Sequence, residues 1–317
     1  MLSKDIRNVL EFYNIGSLIS YRSLRRLGDV QKVFIVRTTK GSFFLKEYDS
    51  LTQSVVDGFR VIKYLSRRKY PCVKVIYTRE RRPYVKVDDN FFAIFEFLEG
   101  SNKHQTNRRL SPKMFYELGK YLGRLHRLTK GLNIKSKERQ DLNYLRGLLR
   151  KNRCKIKKAP KKVRGIYDYI DKELNLLKIP KSLPRAVLHN EFTFEHVWFK
   201  DQKVFKVIDW DLVTRDFCFF DLATSLVSCF RFNKIDFEVL GSLIKGYTRE
   251  RRLNPWERDH IFEMLQFGAF KFALWNLDAA LSWNYKIKHF HQDYSRVEVL
   301  MHYDREKFNK EKRLRKP

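Results

Sequence analysis

The stretch VLHNEFTFEHVWFKDQKVFKVIDWD, Val187 to Asp211, places His189, Glu191, Glu195 and His196 in one loop and Asp209-Trp210-Asp211 one hairpin later. Carboxylates and imidazoles gathered this way are the residue types that move protons or hold a cation. Mg²⁺ prefers oxygen donors, whereas neutral imidazole suits Zn²⁺ or, less strongly, Mn²⁺. The Glu191 to His196 spacing does not by itself make a zinc site, because the further ligands such a site requires are not evident. A lone buried histidine such as His189 is more often scaffold than proton carrier.

The elements that must position these residues show in the hydrophobic period. Ile6, Val9, Leu10 and Tyr13 follow Ser3 at helical spacing, and Gly16 closes that helix. KVFIVRTTKGSFFLKEYD is two β-rich runs around Thr39-Lys40-Gly41, a hairpin that carries Lys46 on its second strand. Val55, Phe59 and Ile62 mark a helix that ends before Pro71, and YVKVDDNFFAIFEFLEG is a second hairpin turning at Asp88-Asp89-Asn90. After Gly100 and the polar stretch SNKHQTNRR the pattern becomes helical, with Phe115, Leu118, Leu122 and Leu125 as one buried stripe. A long basic connection is expected next, then a helix around GIYDYIDKELNLL, two short strands over Val197 to Phe199 and Val204 to Ile208, and helix to the end.

Composition narrows the class. A chain of 317 residues with 43% hydrophobic content can bury a full core. No apolar run is long enough for a membrane span and the N-terminus does not read as a secretory signal, so a cytoplasmic protein is expected. Cys72, Cys154, Cys218 and Cys229 are too scattered for a disulfide framework and are expected as reduced thiols. The formal charge of +30 attracts anions and repels cations. Lys151 to Arg164 holds many bases and no acid, a candidate for nonspecific polyanion binding, although no nucleic-acid motif accompanies it.

FFLKEY, FEFLEG, LGRLH, the His189 frame, VIDWD, FFDLA and IKGYTRERRLNPWERD occur in one order. In that order the chain resembles the aminoglycoside phosphotransferase or choline kinase-like superfamily, nearest to its homoserine kinase-like and spore-coat kinase-like branches. The resemblance implies an α+β, two-lobed protein kinase-like fold: a strand-rich nucleotide-binding lobe over residues 1–98 and a larger helical lobe over 99–317, with ATP and Mg²⁺ or Mn²⁺ as cofactors. It implies that Lys46 holds nucleotide phosphates, that Asp57 is a weak candidate for its acidic partner, and that the backbone of Glu96 and Leu98 meets the adenine edge. Gly28 lies in the loop that would cover the phosphates, which is poorer in glycine than the family pattern. Asp209, with Asp211 assisting, would bind the metal, and His189 and Asp221 would brace the catalytic loop.

Two positions depart from the pattern. Glu191 stands where the family has an aspartate base, a displacement of about an ångström, which can cost on the order of 10²-fold in rate. His196 stands where the family has a metal-binding asparagine, which leaves one metal ion, an altered metal, or Glu195 as an oxygen donor. The leading expectation is transfer of the ATP γ-phosphate to a hydroxyl of a zwitterionic or anionic small molecule, not a polycationic aminoglycoside. A pseudokinase that keeps the nucleotide site without efficient transfer, and a polyanion- or RNA-binding protein, are the alternatives.

Overall fold

The computed structural model describes residues 3–24, 32–99, 110–283 and 291–314. They form two compact units, one of residues 1–101 together with Lys206–Asp211, the other of 102–205 and 212–317. The short segment Lys206–Asp211 thus belongs with the N-terminal unit, although it lies more than a hundred residues beyond it in the chain. No pattern in the sequence announces that return.

The first unit is a helix-backed antiparallel sheet. Helix α1 (Ser3–Glu11) leads into strands β1 (Leu18–Ser23), β2 (Lys32–Thr38) and β3 (Gly41–Tyr48), then helix α2 (Gln53–Ser66) and strands β4 (Val75–Ile76), β5 (Val85–Val87) and β6 (Asn90–Glu96). The sheet order is β1-β2-β3-β6-β4, with β5 also on β6. Both expected hairpins form. β2 and β3 close on the pair Thr38 and Gly41, and β5 and β6 on Val87 and Asn90. Ile6, Val9 and Leu10 of α1, with Tyr13 in the bend just past its end, pack on Phe34, Val36, Leu45, Phe92 and Ile94 from the sheet. The Tyr13 hydroxyl ends that contact by donating to the Phe92 carbonyl at 3.2 Å. The edge strand β1 and the two-residue β4 were not anticipated. β1 buries almost nothing, so it carries little hydrophobic signal.

The second unit is helical with small two-stranded sheets. It contains α3 (Pro112–Thr129), α4 (Leu142–Lys157), α5 (Lys161–Leu176), β7 (Arg185–Leu188), β8 (Val197–Lys200) and the start of β9 (Lys203–Val207). Beyond the return segment come β10 (Thr214–Phe217), α6 (Cys218–Leu226), β11 (Phe230–Arg231), β12 (Lys234–Ile235), α7 (Phe237–Glu250), α8 (Pro255–Asp259), α9 (Ile261–Trp283), α10 (His291–Met301) and α11 (Arg305–Leu314). The stripe Phe115, Leu118, Leu122 and Leu125 of α3 is fully buried. The expected long basic connection is corrected: most of it is α4 and the first turn of α5. Asp141 caps α4 by accepting from the N–H groups of Asn143 and Tyr144, both at 3.0 Å, and Leu145, Leu148 and Leu149 form its buried face. Basic residues crowd the outer face and mask that stripe.

Helices α3 and α7 cross at backbone contact. A Cβ on Gly119 would fall on the carbonyl oxygen of Leu243, and one on Gly246 would fall on that of Tyr116. This crossing brings His126 of α3 and Tyr247 of α7 together. Among the described residues no helix is long and apolar enough to cross a membrane. All four cysteines are free thiols, and only Cys154 is exposed.

Candidate active site

In the first unit, β3 places Lys46 in the middle of the sheet, opposite Val33 and Ala93 and 8% exposed. Its Nζ lies 2.8 Å from Asp209 Oδ1 and 2.6 Å from Asp211 Oδ2. Burial alone would lower the Lys46 pKa, but the charges of Asp209 and Asp211 outweigh it and hold that pKa well above the ordinary lysine value. The ammonium therefore stays charged. One positive charge against two carboxylates leaves the cluster net negative, and its donors are oxygens, which fits a hard divalent cation.

The return segment is fastened on every side. Val207 exchanges backbone hydrogen bonds with the loop before β4, donating to Pro71 O at 2.7 Å and accepting from Val73 N at 2.9 Å. Trp210 is buried and donates from Nε1 to Val207 O. Ser54, in the first turn of α2, donates to Asp211 O at 2.6 Å, and Tyr48 donates to the Asp211 carboxylate at 3.3 Å. α2 comes this close only because residue 58 is glycine, where a Cβ would meet the Trp210 carbonyl. Asp209 itself has φ 62°, in the left-handed region, a conformation that aspartate tolerates better than most residues.

The other residues expected at the nucleotide fare differently. Asp57 is fully buried on α2 and its carboxylate meets Arg60 at 2.8 Å. The expected pairing with Lys46 is therefore corrected: Asp209 and Asp211 take that place. The Glu96 N–H is committed to Lys74 O, so that residue can meet a ligand edge only through its carbonyl. The Glu96 carboxylate accepts from Lys74 N at 2.7 Å and from Lys206 Nζ at 2.5 Å, which ties β6 to the return segment. Leu98 is buried. Gly28 and the stretch SNKHQTNRR lie outside the described residues.

In the second unit, β7 leads into the loop that carries His189, Glu191 and His196. Asn190 has φ 69° and is gripped from several directions. Asp221, fully buried at the start of α6, accepts from His189 N at 2.9 Å and from Asn190 N at 2.8 Å. The Asn190 side chain donates to Leu212 O at 2.6 Å and to Thr214 at 2.9 Å. His189 is fully buried and its Nδ1 accepts the Glu191 N–H at 3.4 Å, so its visible work is to shape the loop. His196 Nδ1 lies 2.9 Å from the Glu191 carbonyl oxygen. A carbonyl only accepts, so Nδ1 carries a proton and a neutral ring keeps its lone pair on Nε2. Glu191 and His196 are half-buried, and Glu195 is exposed.

Behind Asp221 runs a buried polar chain. His126 Nε2 lies 3.1 Å from Asp221 Oδ2, and its Nδ1 is 2.7 Å from the Tyr247 hydroxyl. Arg251 Nε donates to that hydroxyl at 2.6 Å and its guanidinium pairs with the buried Glu257 at 2.5 Å. Glu257 closes a capping box with Asn254 at the start of α8. Burial by itself would raise the Asp221 pKa, but the hydrogen bond and charge of His126, with His189, hold it below the usual carboxylate range. Burial would lower His126, yet Cys218 and Asp221 carry it up to about 9. His126, Tyr247 and Arg251 fall inside LGRLH and GYTRERRLNPWERD, where their spacing alone does not reveal that they meet.

A model of the phosphotransferase enzyme family matches residues 24–260. The chain belongs to that family. Curated relatives include homoserine kinases from Bartonella henselae, 27% identical over 281 residues with 86% of this chain and 85% of the relative covered, and from Caulobacter sp. strain K31, 27% identical over 272 residues with 84% and 82% covered. Among solved structures, the amicoumacin kinase hAmiN, in complex with AMP-PNP, Ca²⁺ and Ami, aligns over 97% of both chains with TM-score 0.71 and 15% identity. An aminoglycoside phosphotransferase from Alicyclobacillus acidocaldarius aligns over 99% of this chain and 96% of its own, with TM-score 0.72 and 13% identity. The protein kinase-like α+β fold expected from the sequence is therefore the fold of this phosphotransferase.

Proposed function

We propose that this phosphotransferase moves the γ-phosphate of ATP to the hydroxyl of a small zwitterionic acceptor of the homoserine type. The observation that carries the reading is the meeting of Lys46 with Asp209 and Asp211, residues remote in sequence, around a charged and metal-compatible cluster. Lys46 holds phosphate oxygens, and Asp209, with Asp211, is the carboxylate to which a divalent cation is assigned. That cation, when bound, neutralises charge that builds on the transferring phosphoryl group. Glu191 orients the acceptor hydroxyl and accepts its proton. Asp221 and His189 keep the loop in shape. His196 offers an imidazole nitrogen, a donor that favours Mn²⁺ more than the family asparagine would.

Acceptor choice follows from charge and kinship together. A protein of net charge +30 disfavours polycationic acceptors, and the homoserine kinases named above align along most of the chain. The test is ATP-dependent phosphorylation of L-homoserine, ethanolamine and an aminoglycoside in parallel, with Mg²⁺ and with Mn²⁺. Phosphorylated homoserine or another amino-acid alcohol is the expected product. Turnover confined to the aminoglycoside, or none with any acceptor and either metal, contradicts the proposal.

A further inference from the structure

Helix α9 contains FGAFKFALW, an apolar run with a single basic residue, Lys271, which is 1% exposed. Burying an ammonium is costly unless its donors are used. Here Nζ donates to the carbonyl of Asn190 at 2.5 Å, with Thr224 Oγ1 a longer partner at 3.4 Å. Neither is a carboxylate, so the short hydrogen bond of the ammonium falls on one peptide group. That group joins Asn190 to Glu191. Its neighbour on the N-terminal side, the Asn190 N–H, is already held by Asp221, and the Asn190 side chain by Leu212 and Thr214.

We propose that Lys271 is a positioning residue for phosphoryl transfer: its ammonium pins the Asn190–Glu191 peptide and so aims the Glu191 carboxylate at the acceptor hydroxyl. The inference rests on the reading of Glu191 given above. Glutamate has one more rotatable bond than aspartate, so the backbone from which it springs must be the more firmly fixed. Misplacement of a reacting group by about an ångström costs on the order of 10²-fold in rate. A charge-assisted hydrogen bond is about twice as strong as a neutral one.

The proton on Lys271 gives the role a signature. Burial pushes its pKa down to about 8, against the opposing charges of Glu191 from the loop and Asp221 from α6. Asp221 is in turn held by His126 of α3. Because the folded value lies below the ordinary 10.5, the unfolded chain holds this proton more tightly between those two values. The contribution of Lys271 to stability therefore rises with pH across that window. Positioning requires the opposite trend in turnover, which falls above about pH 8 as the charge-assisted bond weakens.

Lys271→Met keeps the length and removes the donor, and Lys271→Gln keeps a donor without the charge. With ATP and homoserine near neutral pH, Lys271→Met is expected to lower kcat by ~10- to 100-fold and to leave the acceptor KM within about 3-fold. It should also remove the alkaline fall in kcat, with Lys271→Gln intermediate. Amide hydrogen exchange at Asn190 and Glu191 should accelerate by ~10-fold in Lys271→Met, with the α3 amides unchanged. Wild-type kcat and pH profile in Lys271→Met, with unaltered loop exchange, would overturn the proposal. If the unaltered protein phosphorylates no acceptor, the functional reading fails by itself, and loop exchange decides the case for Lys271.

Discussion

Three side chains in one cluster, an ammonium and two carboxylates, set the electrostatics of the nucleotide side. Lys46→Met removes the ammonium that offsets two partly buried carboxylates and is expected to cost about 3–5 kcal/mol of stability, read from denaturant midpoints. On the loop, His196 is built into its surroundings through the Glu191 carbonyl, which argues for a re-tuned site over a decayed one. The double variant Glu191→Asp with His196→Asn should therefore lose turnover by ~10-fold or more. A gain would mark the natural loop as degraded. His126 supplies a pH test. Its folded pKa of about 9 lies above the ordinary 6.5, so its contribution to stability is complete below the lower value and is lost as pH rises through the upper one. Melting temperatures measured from pH 6 to 10 should show that loss, and His126→Gln should flatten it.

At the scale of elements, close approach decides what meets what. Gly246→Ala forces α3 and α7 apart at a backbone contact and is expected to cost about 1–3 kcal/mol, with a matching drop in melting temperature. Gly241, on the same helix, has open space around it, so Gly241→Ala is the control. Much of this architecture was legible beforehand. Both hairpins and the face of α3 carry clean periods and form as read, whereas the period of α1 runs past the helix end at Glu11 to Tyr13. α4 is hard to read because eight basic residues from Lys151 to Arg164 follow directly on its buried Leu145, Leu148 and Leu149. Lys271 was missed for the opposite reason: one lysine in an apolar helix has no periodic signature until its carbonyl partner is known. The pairing of Lys46 with Asp211 likewise depends on where the chain returns after β9.

For the molecule as a whole, net charge is the extreme property. A charge of +30 steers anionic ligands, and salt screens that attraction over a Debye length of about 10 Å at 0.1 M. The KM for ATP is accordingly expected to rise several-fold, on the order of 3- to 10-fold, between low and high salt, with kcat nearly constant. A salt-independent KM would mean that the surface charge serves something other than capture of substrate. The central claim is that the Lys46, Asp209 and Asp211 cluster receives a metal–nucleotide pair. Its most direct test is calorimetric titration of ATP, with and without Mg²⁺ or Mn²⁺, into the unaltered protein and into Asp209→Asn. Metal-dependent binding that is lost in Asp209→Asn is the predicted result, and equal binding by both proteins, or by neither, would contradict it.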